Sequence, residues 1–296
     1  MSELPIKVLR VALTQRCNLN CIYCHHEGEC SQADNGRKEI SKEDVEDLLK
    51  VSKDLGIKKV RFTGGEPLVR KDVVDIVDIA SRYMDDVSIS TNGTLLSEKI
   101  SDLKEAGISR FNITLNTLNE DTFKSITGKN KLQEVLDGIE KTYEEGVFPI
   151  KLNVVVMKRN YPEIMDMIKF TKDGMVLQLI ELISSKDEID SDFYKENYVS
   201  LSPIEEYLEK KAERVVQREK HRRKKYFIPQ EVEIVRSMHN TVFCKNCMSI
   251  RMTSEGEIKN CIFRNDNLIK VDDFSDLEKL KGLLVESIRS KTPYWC

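Results

Sequence analysis

The sequence predicts an α/β fold: a partial (βα)6 TIM-like barrel with a C-terminal cysteine-rich extension closing the barrel. Three observations predict it. Six short β-type runs alternate with helical patterns over residues 1–184, the texture then turns polar and charged, and a group of three cysteines falls in each part. Strands that alternate with helices imply a parallel sheet with right-handed crossovers. Such folds bind ligands at the C-terminal strand ends. Periodicity by itself does not separate a partial barrel from an open doubly wound sheet. The expected division is a barrel over 1–184 and a linker with the extension over 185–296.

Lys7–Leu13 is mostly apolar and reads as the first strand. Ser41-Lys-Glu-Asp is a capping-box variant, followed by Val45, Leu48, Leu49 and Val51 at helical spacing and stopped at Gly56. Lys59–Phe62, Val87–Ser90, Arg110–Leu115, Ile150–Met157 and Val176–Leu182 read as the other five strands. Helices are expected at Val73–Met84, Ser97–Ala106, Leu132–Glu145 and Pro162–Lys172, the last with proline in its first turn. Ser184–Asp192 reads as a connector. Tyr207–Lys225 ends in His221-Arg-Arg-Lys-Lys; it reads as a solvated helix face, with an anion-binding patch as the alternative. Thr253-Ser-Glu-Gly-Glu has the composition of a hairpin turn, and Leu277–Ser290 that of a last helix.

With 296 residues, 40% of them hydrophobic, the chain can bury a large core. A net charge of -3 gives no reason to expect nucleic acid as a partner, although a local basic pocket could hold a small anion. No run approaches the ~20 apolar residues of a membrane helix, and Met1-Ser-Glu-Leu-Pro-Ile-Lys lacks a signal-peptide pattern. A cytoplasmic location is therefore expected. There, eight cysteines point to metal ligands or reactive thiols rather than disulfides.

Cys17, Cys21 and Cys24 directly follow the first strand as C-x₃-C-x₂-C. Such a loop can wrap one corner of a [4Fe–4S] cube and give thiolates to three irons. The fourth iron then lacks a cysteine, and an open metal position can bind substrate. The competing reading is zinc with His25 or His26 as fourth ligand, although zinc sites more often use C-x₂-C pairs. Tyr23 reads either as an aromatic lid or as a packing residue. Cys30 reads as a bystander thiol.

The triad, with an aromatic before its last cysteine, resembles the signature of the radical S-adenosylmethionine superfamily. Phe62-Thr-Gly64-Gly65-Glu66-Pro67 after the second strand agrees. Two glycines let the backbone approach a ligand closely, and the resemblance makes that ligand the methionyl amino group. It implies that S-adenosylmethionine chelates the open iron and is cleaved to a 5′-deoxyadenosyl radical that takes a hydrogen atom from substrate. Tyr23, Gly65, Thr114 and Asn153 match positions near S-adenosylmethionine. Thr91 matches a substrate-binding position. Both threonines read equally well as strand-end caps.

Cys244, Cys247 and Cys261 form C-x₂-C-x₁₃-C. By itself this could be a zinc knuckle completed by His239 or Cys296. Together with the barrel before it, the spacing resembles the molybdenum-cofactor biosynthesis protein A (GTP 3′,8-cyclase) family. The resemblance implies a second [4Fe–4S] cluster whose open iron binds the purine of GTP. The radical would take the C3′ hydrogen, and the ribose carbon would close on C8 to give 3′,8-cyclo-7,8-dihydro-GTP. Arg10, Lys59, Arg61, Lys151 and Arg251 match basic residues that bind the nucleotide. Arginine offers phosphate a fork of donors and lysine a point charge.

This chain departs from the family at three places. Ser249 stands at one usual arginine position and Gln178 at another, and Tyr-Trp-Cys ends the chain in place of a Gly-Gly tail. The implied partners are GTP as substrate, a reductant protein, the next enzyme of the pterin pathway and a second copy in a homodimer, with neither nucleic acid nor membrane. Two readings stay open beside the cyclase. One is another two-cluster radical enzyme acting on a peptide or small molecule; the other is a zinc-stabilised binding module.

Overall fold

A computed structural model of the chain describes residues 6–29 and 39–295. Cys30 and Cys296 lie outside the described residues. The six predicted strands form as β1 (Val8–Ala12), β2 (Lys59–Thr63), β3 (Asp86–Thr91), β4 (Arg110–Thr114), β5 (Ile150–Val156) and β6 (Met175–Glu181). Helices α1 (Lys42–Asp54), α2 (Val73–Tyr83), α3 (Leu96–Glu105), α4 (Glu120–Thr127), α5 (Leu132–Glu144) and α6 (Ile164–Phe170) pack between them in sequence. Ser41 and Asp44 make the capping box of α1 in both directions. The short α4 went unpredicted, because its three buried residues, Phe123, Ile126 and Thr127, form too brief a stripe to register as a period.

The extension supplies α7 (Asp192–Asn197), α8 (Ser202–Lys211), β7 (Arg214–Gln217), β8 (Lys224–Ile228), β9 (Gln230–Val235), α9 (Thr241–Lys245), β10 (Ser249–Met252), β11 (Glu257–Lys259), β12 (Ile269–Lys270) and α10 (Leu277–Arg289). It lengthens both edges of one sheet, in the order β12-β11-β10-β1-β2-β3-β4-β5-β6-β9-β8-β7. β10 joins β1 and β9 joins β6 in parallel, and antiparallel strands lie outside them. The predicted hairpin at Thr253–Glu257 is the β10–β11 turn, with Thr253 N donating to Glu257 O at 2.8 Å.

The expected closure therefore takes a different form. The outermost strands β12 and β7 do not pair, so the barrel is partial and open. The 3-10 turn Lys220–Arg222, between β7 and β8, bridges the gap instead. His221 N donates to Asn246 O at 2.9 Å, and Lys220 Nζ reaches Ser249 Oγ at 2.8 Å. This also corrects the solvated helix expected over 207–225. The helix ends at Lys211, and the basic run is a strand, the bridging turn and the start of another strand. A charge run has no period of its own, so sequence could not separate a turn aimed inward from a helix facing water.

The period of two along each strand sorts the side chains. Leu9, Val11, Val60, Phe62, Leu152, Leu177 and Ile250 turn to the helix layer and are buried in one continuous core. Their neighbours Arg10, Arg61, Lys151, Gln178, Ser249 and Arg251 turn to the inner face. Register places Arg10 opposite both Arg61 and Arg251. Among the described residues, no helix is long and apolar enough to cross a membrane.

Candidate active site: two cysteine triads around a basic cavity

The loop after β1 carries Cys17, Cys21 and Cys24, each at least partly exposed. It is held by the glycine loop after β2. Gly65 N donates to Thr14 O at 2.7 Å, and Glu66 N to Arg16 O at 2.8 Å. A Cβ on Gly65 would lie 2.3 Å from Arg16 O and 2.5 Å from Gln15 O, and one on Gly64 2.2 Å from Thr14 O. The glycines thus let the backbone approach the cysteine loop itself, which is the physical reason for this pair. Gly65 does not line the cavity described below.

Glu66 is fully buried. Its carboxylate accepts from Thr91 Oγ1 at 2.8 Å, Asn92 N at 2.6 Å and Leu68 N at 3.0 Å, tying β2 to β3. Burial pushes this carboxyl up to about 7, against the pull of those donors. Thr91 is therefore occupied structurally. Its hydroxyl also accepts from Gly93 N at 3.0 Å, as the strand-end-cap reading expects, and it does not line the cavity.

Asn92 Nδ2 lies 3.8 Å from Cys17 Sγ and 2.8 Å from Asn18 Oδ1, and Asn18 Nδ2 reaches Thr94 Oγ1 at 2.8 Å. On the other side Tyr23 OH accepts from Asn116 Nδ2 at 2.8 Å. Asn116 Oδ1 in turn accepts from Val155 N at 2.9 Å, and its backbone O from Asn160 Nδ2 at 2.8 Å. A chain of asparagines at the strand ends thus fixes the aromatic beside the triad. Burial, with Cys24 and Cys17 nearby, pushes the Cys21 thiol up to about 12.

Cys244 and Cys247 sit at the end of α9, and Cys261 follows β11. Backbone N–H groups of Trp295 and Tyr294 point at the Cys244 sulfur. Burial would raise the Cys247 thiol, but Lys291, the Ser249 backbone N–H and Lys220 outweigh it and hold it below an ordinary thiol.

The second triad opens on a cavity of about 780 Å³, within the range of ligand pockets. Arg10, Lys59, Arg61, Lys151, Arg251, Tyr23, Thr114 and Asn153 all line it. Cys17, Cys21 and Cys24 stand beside it, through Tyr23 and His25, without lining it. Among the described residues its wall holds twelve lysines and arginines against five carboxylates. The chain as a whole is negative, so the positive charge is concentrated here.

Arg10 is not idle in this wall. Arg10 Nη2 lies 3.0 Å from Glu27 Oε1 and Arg251 Nη1 2.6 Å from Glu27 Oε2, and Thr63 Oγ1 donates to Oε1 at 2.8 Å. Burial alone would raise the Glu27 carboxyl, but the two guanidiniums hold it well below the usual range. Glu233 plays the same part opposite, 2.9 Å from Arg218, 3.1 Å from Arg223 and 3.9 Å from Lys151. Gln178 Nε2 donates to it as well. Burial pushes Lys151 down to about 7 despite Glu233.

Sequence reasoning missed Arg218, Lys220, Arg223 and Lys291. For the first three the signal was present as the charged run, but nothing local says that it folds inward; Lys291 lies after the last helix and had none. Tyr294 and Trp295 also enter the cavity, Trp295 with its ring 4.3 Å from that of His239.

The thiols fit iron–sulfur clusters better than single ions. Among the described residues no three His, Cys, Asp or Glu side chains converge enough to hold one metal ion. A tetrahedral zinc needs each sulfur about 2.3 Å from a single point. A [4Fe–4S] cube takes each thiolate on a different iron and needs no such convergence.

Comparison with known proteins agrees. Residues 11–171 match the radical SAM superfamily and residues 175–295 match Molybdenum Cofactor Synthesis C. One triad falls in each match. "Probable GTP 3',8-cyclase" of Pyrococcus abyssi is 43% identical over 98% of this chain and 97% of its own length. The protein of the same name from Methanothermobacter marburgensis is 42% identical over 98% of this chain and 96% of its own. The chain belongs to the radical SAM GTP 3′,8-cyclase family. With that family come S-adenosylmethionine and two [4Fe–4S] clusters as cofactors. Streptococcus suis SuiB bound to precursor peptide SuiA has the same fold, with a TM-score of 0.72 at 18% identity, covering 96% of this chain and 67% of that one.

Two measurements test how this radical SAM site is built. Gly65→Ala forces its Cβ onto backbone oxygens that cannot swing away, so a loss of about 1–3 kcal/mol is expected in denaturant melts; an unchanged midpoint would contradict the close approach. Glu66 holds its proton more tightly folded than unfolded. Its contribution is therefore complete below the ordinary 4.5 and lost as pH rises through about 7. Stability relative to Glu66→Gln should fall across that window by about 3 kcal/mol. Parallel pH curves for the two proteins would rule this out.

Proposed function

We propose that the chain catalyses the GTP 3′,8-cyclase reaction of molybdenum cofactor biosynthesis in the cytoplasm, with the six cysteines of the two triads as cluster ligands. One observation carries the reading: a triad of cysteines and an excess of cations line the same cavity, beside a second triad held on the strand ends. When bound, the clusters and S-adenosylmethionine would supply a 5′-deoxyadenosyl radical for the C3′ hydrogen of GTP; closure of the ribose carbon on C8, with one electron from the reductant and a proton at N7, would give 3′,8-cyclo-7,8-dihydro-GTP.

The chain's own residues place the reactants. Tyr23, Thr114 and Asn153 lie where the cavity approaches the first triad and take S-adenosylmethionine with the Gly64-Gly65 backbone. Asn153 Oδ1 is buried without a hydrogen-bond partner, which suits it to accept from a ligand donor. Arg61, with a buried Nε that also lacks a partner, joins Arg10, Lys59, Lys151 and Arg251 around the triphosphate. Arg10 and Arg251 would share their charge between Glu27 and phosphate, so Glu27 sets their position and tempers their pull. Lys151, which titrates near neutrality, gains its proton as the polyanion arrives.

The other two readings fit less well. A cavity with this charge excess suits a compact polyanion better than a peptide, and the likeness to SuiB is one of fold. Two triads of thiolates suit iron–sulfur clusters, whose usual protein ligands they are, better than a zinc-held module. A reductant protein, the next enzyme of the pterin pathway and a second copy of the chain remain the expected partners.

Anaerobic incubation with GTP, S-adenosylmethionine and a reductant should yield 5′-deoxyadenosine and, after oxidation, a pterin. Cys17→Ala should yield neither. Cys261→Ala should retain some 5′-deoxyadenosine but form no pterin, and pterin formation equal to the unaltered enzyme would refute the substrate-anchoring role of the second triad.

A further inference from the structure

The turn between β7 and β8 is built at a cost. His221 and Arg222 both have positive φ, 62° and 53°, a region that side chains with a Cβ rarely adopt. Strained backbone of this kind persists only where its surroundings over-determine it, and it clusters at ligand clamps. The surroundings here do so. His221 N donates to Asn246 O at 2.9 Å, and Arg218 N to Arg223 O at 2.8 Å. The His221 ring stacks on Phe243 of α9 with centroids 3.8 Å apart. Phe243 immediately precedes Cys244, so the turn is locked to the helix that carries the first cysteine of the second triad.

What the strained turn delivers is Lys220. Its Nζ lies 2.8 Å from Ser249 Oγ, on the inner face of β10 and two residues from Arg251. Among the described residues, no carboxylate lies within ion-pair distance of Lys220, Arg61 or Lys291, although all three line the cavity. Arg10 and Arg251 share Glu27, and Arg218, Arg223 and Lys151 share Glu233. Burying an ammonium with only a hydroxyl for company is unfavourable, and both burial and the neighbouring Arg61 and Arg10 push Lys220 well below its ordinary range. An anion bound between these groups would relieve all of them at once.

We propose that Lys220 is a phosphate-binding residue for the nucleoside triphosphate, held by the strained β7–β8 turn over Ser249 so that it supplies the cation that position 249 lacks. The proposal rests on the cyclase reading and goes beyond it. It assigns polyphosphate recognition to the charged run of the extension as well as to the barrel strands. It also explains why a serine on β10 is tolerated amid basic neighbours. The hydroxyl orients the ammonium, where a guanidinium at 249 would compete with it for the same space.

The test measures equilibrium dialysis of GTP and of guanosine with anaerobically reconstituted enzyme at matched iron and sulfide content. Loss of one charge-assisted contact should weaken GTP binding by Lys220→Ala roughly 10- to 100-fold, with guanosine changed by less than about threefold. Lys220→Arg should recover most of the loss, and so should Ser249→Arg added to Lys220→Ala, which returns a cation from the other side. That double variant also shows that the alanine protein still folds. GTP binding by Lys220→Ala within twofold of the unaltered enzyme, or equal loss of GTP and guanosine, would overturn the assignment. Unaltered enzyme that fails to bind GTP would instead overturn the cyclase reading beneath it.

Discussion

The carboxylate of Glu27 is where the two halves of this chain meet. It follows the first triad by three residues and accepts from Arg10 on β1, Arg251 on β10 and Thr63 on β2. Its backbone is left-handed, φ 52°, so the loop is bent to bring it there. A buried carboxylate between two guanidiniums is stable only as a set; removing one member leaves an uncompensated buried charge and costs about 3–5 kcal/mol. The next residues repeat the attachment. Lys259 Nζ of β11 donates to Gly28 O, and Ser254 donates to the Glu29 carboxylate. The cysteine loop of the barrel is thus docked on strands of the extension, and the position of one triad follows from that of the other.

From that docking the electrostatics follow. Strand alternation puts a basic side chain on the inner face of β1, β2, β5 and β10, where water has limited access and screening is weak. Two carboxylates, Glu27 and Glu233, neutralise part of that charge and keep the empty wall from flying apart. The remainder is available to a polyanion. The thiols respond in opposite ways. Partial burial, with neighbouring sulfurs and carboxylates, makes the thiols of the first triad hold their protons, whereas Lys291 and Lys220 favour the thiolate at Cys247. Metal binding releases those protons in either case, more of them at the first triad.

Much of this was legible in the sequence. The six βα units were, because each strand and helix repeats its own period and the caps and glycines fall between them. The two triads were legible because cysteine spacing is a local property. The inner-face cations Arg10, Arg61, Lys151 and Arg251 were singled out by the family resemblance, and strand alternation explains why they share one face. Thr91 stayed ambiguous: a strand-end threonine looks the same whether it faces a ligand or a buried carboxylate, and only the fold reveals Glu66 beneath it. Lys220, Arg223 and Lys291 were illegible as a set, since the β7–β8 turn and the segment after α10, distant in sequence, meet only when the extension wraps the open side of the barrel. The partial barrel was expected, but the order of its edge strands was hidden, because long-range pairing decides it.

The account depends on each triad holding a cube of iron and sulfide rather than a single ion. Iron, zinc and acid-labile sulfide should therefore be counted on anaerobically reconstituted protein, with Mössbauer spectra to identify the cluster type. About eight irons and eight sulfides per chain, as two [4Fe–4S] units, is the predicted result. About two zinc ions per chain with no sulfide would contradict it.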